Sequence, residues 1–153
     1  MTAYRALLFK VIRAYTLNEE DANDLFQEIS IQIWKSVPGF RGDSAVSTWL
    51  YRIALNTAIR WAQKESKFRD AQETKTTEKV LSHNPEDHDE RLDWLYAEIN
   101  QMNDIDKSLT LLLLDGYSYK EIADILGISE SNVGVKIHRI KTMLTKKSVS
   151  YGT

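Results

Sequence analysis

Three groups of side chains in this sequence are spaced for recognition chemistry. In the stretch YSYKEIADILGISESNVGVKIHRIKTML (residues 117–144), Ser131, Val135, His138 and Arg139 fall opposite an apolar stripe, flanked by Asn132 and Lys136. Small polar groups near a helix start, with cations further along, suit a helix laid in a DNA major groove. There Lys136, Arg139 and Lys141 would meet phosphates, while Ser131 and Asn132 could reach base edges. The second group comprises Trp49, Arg52, Asn56, Arg60, Lys64 and Lys67, with Phe40 and Arg41 in the loop before them. Aromatic and basic residues interleaved in this way suit a surface that handles single-stranded DNA, although Phe40 could equally plug the core. The third group is Asp21, Asp24, Gln27 and Glu28, an acidic and amidic helix face. It is poor for DNA, and reads either as a seat for a basic protein partner or as an ordinary solvated surface.

Each group needs a helix to hold it, and the periodicity supplies one in every case. Ile122, Ala123 and Leu126 share a face, Gly127 interrupts, and Ser129 stands where an N-cap belongs. Val133, Ile137, Ile140 and Leu144 then recur at steps of four, three and four, so the segment reads as a helix-turn-helix. Upstream, Tyr4, Leu7, Leu8, Val11, Ile12 and Tyr15 form a first stripe, with Arg5, Lys10 and Arg13 largely off it. Asn18 is a good cap for a second helix that keeps Ala22, Leu25, Phe26, Ile29 and Ile33 inside and runs to about Ser36. Pro38 and Gly39 break it, and Ser47 caps a third helix lined by Leu50, Ile53, Ala54, Thr57, Ala58 and Trp61. Residues 70–90 lose the pattern and read as an acidic linker. Leu92, Leu95, Tyr96, Ile99 and Met102 restart it, Leu109, Leu112 and Leu113 follow, and the C-terminal unit is expected to close near Lys147. The expectation is an all-α protein: two small helical domains, 1–69 and 91–148, joined by the linker 70–90.

Composition narrows the function classes. The 153 residues hold two prolines, six glycines and no cysteine, which excludes disulfides, thiolate metal sites and cysteine nucleophiles. No apolar run approaches a membrane span, no signal-peptide core opens the chain, and a cytoplasmic protein is expected. Charge is unevenly placed: +3 over residues 1–69, −6 over 70–101 and +1 over 102–153. Each phosphate contact needs a cation, so neither basic block has much electrostatic affinity of its own, and useful DNA binding needs a partner. His83, Asp87, His88 and Asp89 suggest a metal site, but a polar linker lacks the frame that fixes coordination. With no phosphate-cradling glycine loop and no nucleophile elbow, neither a cofactor, a metal nor an enzymatic activity is expected.

With both blocks in view, the sequence resembles the extracytoplasmic-function group of bacterial RNA polymerase sigma factors over nearly its whole length. DANDLFQEISIQIW (residues 21–34) looks like the family's polymerase-binding helix. FRGDSAVSTWLYRIALNTAIRWAQK (residues 40–64) looks like its promoter-melting and −10-reading segment, and residues 117–144 like its −35-reading helix-turn-helix. The chain departs from the family pattern at Ile59, Arg60 and Trp61, where an acidic residue is common, and at Asn132-Val133-Gly134, where Thr-Val-Lys is common. The resemblance implies core-polymerase binding through Asp21, Asp24, Leu25, Gln27 and Glu28. It implies −10 single-strand contacts from Phe40, Arg41, Asp43, Trp49, Arg52, Asn56 and Arg60, a base being flipped into a pocket at the loop. It implies −35 contacts from Lys120, Ser129, Ser131, Asn132, Lys136 and Arg139. The partners implied are core RNA polymerase, promoter DNA and an anti-sigma factor that is often membrane-bound. The competing reading is a LuxR-like regulator that binds DNA unaided as a dimer; it fits the C-terminal block but leaves the acidic and aromatic-basic helices unexplained.

Overall fold

A computed structural model describes residues 2–42, 45–72 and 89–152, and every regular element among them is helical. In order these are α1 (Thr2–Tyr15), α2 (Glu19–Ser36), a 3-10 turn (Val37–Gly39), α3 (Val46–Gln72), α4 (Glu90–Asn100), α5 (Asp104–Leu114), α6 (Tyr119–Leu126) and α7 (Glu130–Gly152). They form two compact units, residues 1–100 and 101–153. No described helix is long and apolar enough to cross a membrane.

In the first unit α1 and α2 both pack on α3. The Asn18 side chain accepts the Asp21 backbone N–H at 2.8 Å, and Glu19, Glu20 and Asp21 place negative charge at the positive end of α2. Because α3 lies against two helices, its buried stripe is wider than one helical seam. Tyr51 and Leu55 are fully buried with Leu50, Ala54, Ala58 and Trp61, whereas Ile53 is only half-buried. α3 starts at Val46, so Ser47 sits inside its first turn instead of capping it. Phe26, expected inside, is 41% exposed and stacks on the equally exposed Phe9, ring centroids 6.4 Å apart. α2 therefore buries only the narrow line through Leu25 and Ile29.

α4 belongs to this unit by its contacts, packing on α1. Tyr96 and Ile99 are buried there, and with them Arg13, which the α1 stripe alone leaves outside. The Arg13 guanidinium pairs with Asp93 and lies 4.3 Å from the Tyr96 ring centroid, while its backbone carbonyl accepts the Asn100 side-chain N–H at 3.1 Å. A buried cation is tolerated only with such company.

In the second unit, α5 packs on α6 and α7, and α6 on α7. Asn103 caps α5, and Leu109, Leu111 and Leu112 fill the interior. Met102, beyond the end of α4, lies with its sulfur 3.5 Å from the Thr110 hydroxyl. α7 continues to Gly152, past the end expected near Lys147; with no proline in TKKSVSYG, helical hydrogen bonding persists after the apolar stripe has stopped.

Candidate nucleic-acid and partner interfaces

The helix-turn-helix is α6, a turn and α7, and each junction has its own chemical reason. Ser118 and Glu121 close a capping box at the start of α6: Ser118 Oγ accepts the Glu121 N–H at 3.1 Å, and Glu121 Oε1 accepts the Ser118 N–H at 2.9 Å. The Ser118 backbone bond, helped by its hydroxyl, holds the Glu121 carboxyl below the usual carboxylate range. Gly127 ends α6 at φ 72°, a left-handed position that costs glycine nothing, and the Ala123 carbonyl accepts N–H groups from both Gly127 and Ile128. Ser129 then caps α7, its Oγ accepting the Asn132 N–H at 3.1 Å. Val133, Ile137 and Ile140 are buried, as are Ile122 and Ala123; Ile125 is buried where Leu126 was expected and is only half-covered.

The outward face of α7 carries Ser131, Asn132, Val135, His138 and Arg139, all exposed, with Lys136 half-buried and Lys120 exposed on α6. Ser129 and Ser131 hold their hydroxyls 3.4 Å apart, so the Ser129 oxygen is shared between capping and this neighbour. At Gly134 an added Cβ would sit 3.7 Å from the Tyr119 ring, an ordinary contact; the glycine is a small surface under an aromatic lid and not a forced turn.

On α3, Trp49, Arg52, Asn56 and Arg60 recur at steps of three, four and four and so form one line. Arg52, Asn56 and Arg60 are exposed and Trp49 is half-buried. The structure brings Phe40 against Trp49, ring centroids 4.7 Å apart and tilted by 48°. Phe40 is half-buried: it packs against Trp49 and keeps part of its surface accessible. Arg41 is exposed beside it, Gly42 takes a left-handed φ of 78°, and Asp43 lies outside the described residues.

On α2, Asp24, Gln27 and Glu28 are exposed on one face. Asp21 is half-buried and occupied at the helix cap, where its carboxylate accepts the Asn18 amide at 3.2 Å. Leu25, expected among the contact residues, is fully buried in the free chain and anchors the helix that presents the others. The exposed face continues into Ile31 and Trp34, the latter 80% exposed, so the patch has an apolar end that a reading by charge overlooks. Asp24 is also tied to α3, its Oδ2 accepting the Trp61 indole N–H at 2.9 Å. Beside this bond runs a groove of about 340 Å³ between α2 and α3, lined in part by Glu28, Arg60, Lys64 and Glu65. Two residues assigned to different surfaces, Asp24 and Arg60, thus share one recess.

Of the suggested metal ligands, His83, Asp87 and His88 lie outside the described residues. Among the described residues no cluster of three or more His, Asp or Glu side chains could hold an ion.

Comparison with known proteins places these surfaces in context. Residues 1–68 match the family described as Sigma-70 region 2, and residues 92–144 match Sigma-70, region 4. The chain is 32% identical to RNA polymerase sigma factor YlaC of Bacillus subtilis, the match covering 94% of this chain and 86% of that protein. It is 35% identical to the ECF RNA polymerase sigma-E factor of Escherichia coli K12, over 83% of this chain and 73% of that one. Among solved structures, the sigma factor RpoE in complex with the anti-sigma factor NepR from Bartonella quintana superposes with a TM-score of 0.73 at 21% identity, covering 94% of this chain and 89% of that one. CnrH in complex with the cytosolic domain of CnrY gives a TM-score of 0.64 at 18% identity, covering 97% and 84%. At those identities the structural likeness speaks for the fold alone.

Proposed function

This chain belongs to the extracytoplasmic-function group of the sigma-70 family, non-enzymatic subunits that direct promoter-specific transcription initiation by RNA polymerase, and from that premise we propose how its surfaces divide the work. Functionally the chain divides into residues 1–69 and 91–148, with 70–90 between them. The exposed carboxylates and amide of Asp24, Gln27 and Glu28 dock on a basic surface of the core enzyme, with Asp21 shaping the start of that helix. A row of acids that repels DNA attracts a cationic protein surface, and helix α2 is rigid enough to present them together.

The line Trp49, Arg52, Asn56 and Arg60, with Phe40, Arg41 and Asp43, faces the −10 element as its strands separate. The Phe40–Trp49 pair offers an aromatic wall on which an extruded base can stack, at a gain of about 1–3 kcal/mol per stacked base. Unstacking costs a similar amount, so the pocket need only balance it for melting to proceed. The outward face of α7 enters the −35 major groove. Ser131 and Asn132 lie towards the base edges, Lys136, Arg139 and Lys120 towards phosphates, and Ser129 at the groove rim.

One observation carries this reading: two sigma-70 regions occur in order in one chain, each presenting an exposed polar face of the right sign. A stand-alone dimeric regulator does not account for residues 1–68. RpoE is in complex with the anti-sigma factor NepR in one of the structures above, and an anti-sigma factor is proposed as a partner here too, the protein working in the cytoplasm where polymerase and promoter meet. Run-off transcription with purified core polymerase on genomic promoter fragments tests the proposal. Discrete transcripts that need both the chain and intact −35 and −10 elements are expected; tight operator binding without polymerase, and no transcripts with it, would reject the proposal.

A further inference from the structure

We infer that Trp61 is a positioning residue for the polymerase-docking face, holding the Asp24 carboxylate in the orientation a basic partner meets. The inference rests on the docking reading given above and extends it from α2 to α3.

The geometry is a long-range bond between a fixed donor and a mobile acceptor. Trp61 is 8% exposed and packed along α3, so its indole cannot follow the carboxylate. Asp24 is on the surface of α2, thirty-seven residues earlier in the chain, and accepts the indole N–H through Oδ2 at 2.9 Å. Oδ1 has no hydrogen-bond partner among the described residues and stays available to an incoming cation. An exposed aspartate on a helix otherwise samples several rotamers, and each one that points away must be given up on binding. A charge-assisted bond from a buried donor removes that freedom in advance.

The surroundings make the tether matter more. Arg60 and Lys64 line the same groove as Asp24 and Glu28. Released from Trp61, the Asp24 carboxylate has two cations of its own chain to turn towards, and either turn takes it off the surface that a partner reads. The indole N–H thus does two things: it aims the acid, and it keeps the acid from being neutralised internally. Sequence spacing gives no hint of this, because nothing local pairs residue 24 with residue 61.

The test compares Trp61→Phe, Asp24→Ala and the double variant in the full chain, by equilibrium binding to core polymerase and by thermal unfolding. Trp61→Phe keeps most of the ring and removes the N–H. It is expected to weaken core binding about threefold to tenfold, and to do nothing further once Asp24 is alanine. A purely structural role would lower the unfolding temperature and leave binding by the folded chain unchanged. Should the phenylalanine variant fail to fold, site-specific replacement of Trp61 by 3-benzothienylalanine, which has the same shape and no N–H, repeats the measurement. If Asp24→Ala weakens binding and the loss of the N–H does not, Trp61 has no positioning role, although docking through Asp24 stands. If Asp24→Ala binds core polymerase as tightly as the parent chain, the docking reading fails at this residue and the tether fails with it.

Discussion

Removing the Asp93 carboxylate should loosen α4 from α1 while leaving the rest of the first unit folded. The Arg13 side chain is 7% exposed and that of Asp93 32% exposed, so the cation is inside and the anion sits at its rim. Stripping one partner from a fully buried ion pair costs 3–5 kcal/mol, because a charge is left behind without compensation. Water reaches Asp93, and the Tyr96 ring still faces the guanidinium, so the expected cost of Asp93→Ala is nearer to about 2 kcal/mol. Arg13 Nε already lacks a hydrogen-bond partner, which leaves the group little else to turn to. A loss of that size raises the local opening constant about thirtyfold. Hydrogen–deuterium exchange read by mass spectrometry should therefore speed up in residues 90–100 by about that factor, with α5–α7 as the internal control. Arg13→Met combined with Asp93→Ala should recover part of the loss, since the double change removes the stranded charge as well as its partner. Unchanged α4 exchange in Asp93→Ala, or a double variant worse than the single one, would refute the reasoning.

Three further outcomes follow from the second unit. Gly134→Ala should raise its unfolding free energy by about 0.5–1 kcal/mol in chemical denaturation, because the added methyl meets only ordinary contact with Tyr119 and the position is helical. Lys107 is buried, and desolvation pulls its ammonium pKa below 10.5 despite the opposing charge of Asp104. A folded-state pKa lowered in this way means that burial of the charged form opposes folding at neutral pH. That penalty disappears as pH rises through the lowered value to 10.5. Lys107→Met should therefore stabilise the unit at pH 7, with a gain that shrinks on approach to pH 10.5 in parallel denaturation curves. Ser118→Ala should cost about 1 kcal/mol through loss of the α6 cap. The Ser118 N–H, the larger cause of the depressed Glu121 pKa, survives in the alanine variant, so the support it gives is lost in both proteins as pH falls through the depressed value, and the parent and Ser118→Ala curves should narrow only slightly in acid.

What could be read from sequence was what is local. The Asn18 and Ser129 caps, the left-handed glycine between α6 and α7, and the stripe through Val133, Ile137 and Ile140 depend on residues a few positions apart, and all stand where the spacing puts them. The losses occur where a distant segment decides. Arg13 looks solvated until α4 covers it, and α3 buries Tyr51 and Leu55 because two helices lean on it from different sides. Leu25 and Phe26 are neighbours on α2, both expected inside, and which one goes there depends on where α1 and α3 lie. The Trp61–Asp24 bond belongs to the same class. Its one sequence signal is weak: a buried tryptophan needs an acceptor, but the sequence does not say which.

The proposed reliance on a partner for DNA binding follows from where the charges sit, more than from how many there are. Around the face proposed for the −35 element, the cations Lys120, Lys136, Arg139 and Lys141 are accompanied by the exposed carboxylates of Glu121 and Asp124 on α6 and Glu130 at the start of α7. Four phosphate contacts would make log affinity fall with a slope of about −3.6 against log salt, and the neighbouring acids lower the starting affinity further. α3 has the same problem in another form, because Arg60 and Lys64 look into a groove shared with Asp24, Glu28 and Glu65. On the proposed assignment, each half would discriminate bases without attracting DNA strongly. Joining both halves to one polymerase converts two weak encounters into intramolecular ones, at the high effective concentration of tethered sites. The acids that weaken free DNA binding are, on the docking face, the groups proposed to hold the chain to the enzyme. On this proposal, a subunit built this way would stay off promoters until it is attached to the machine that can use them.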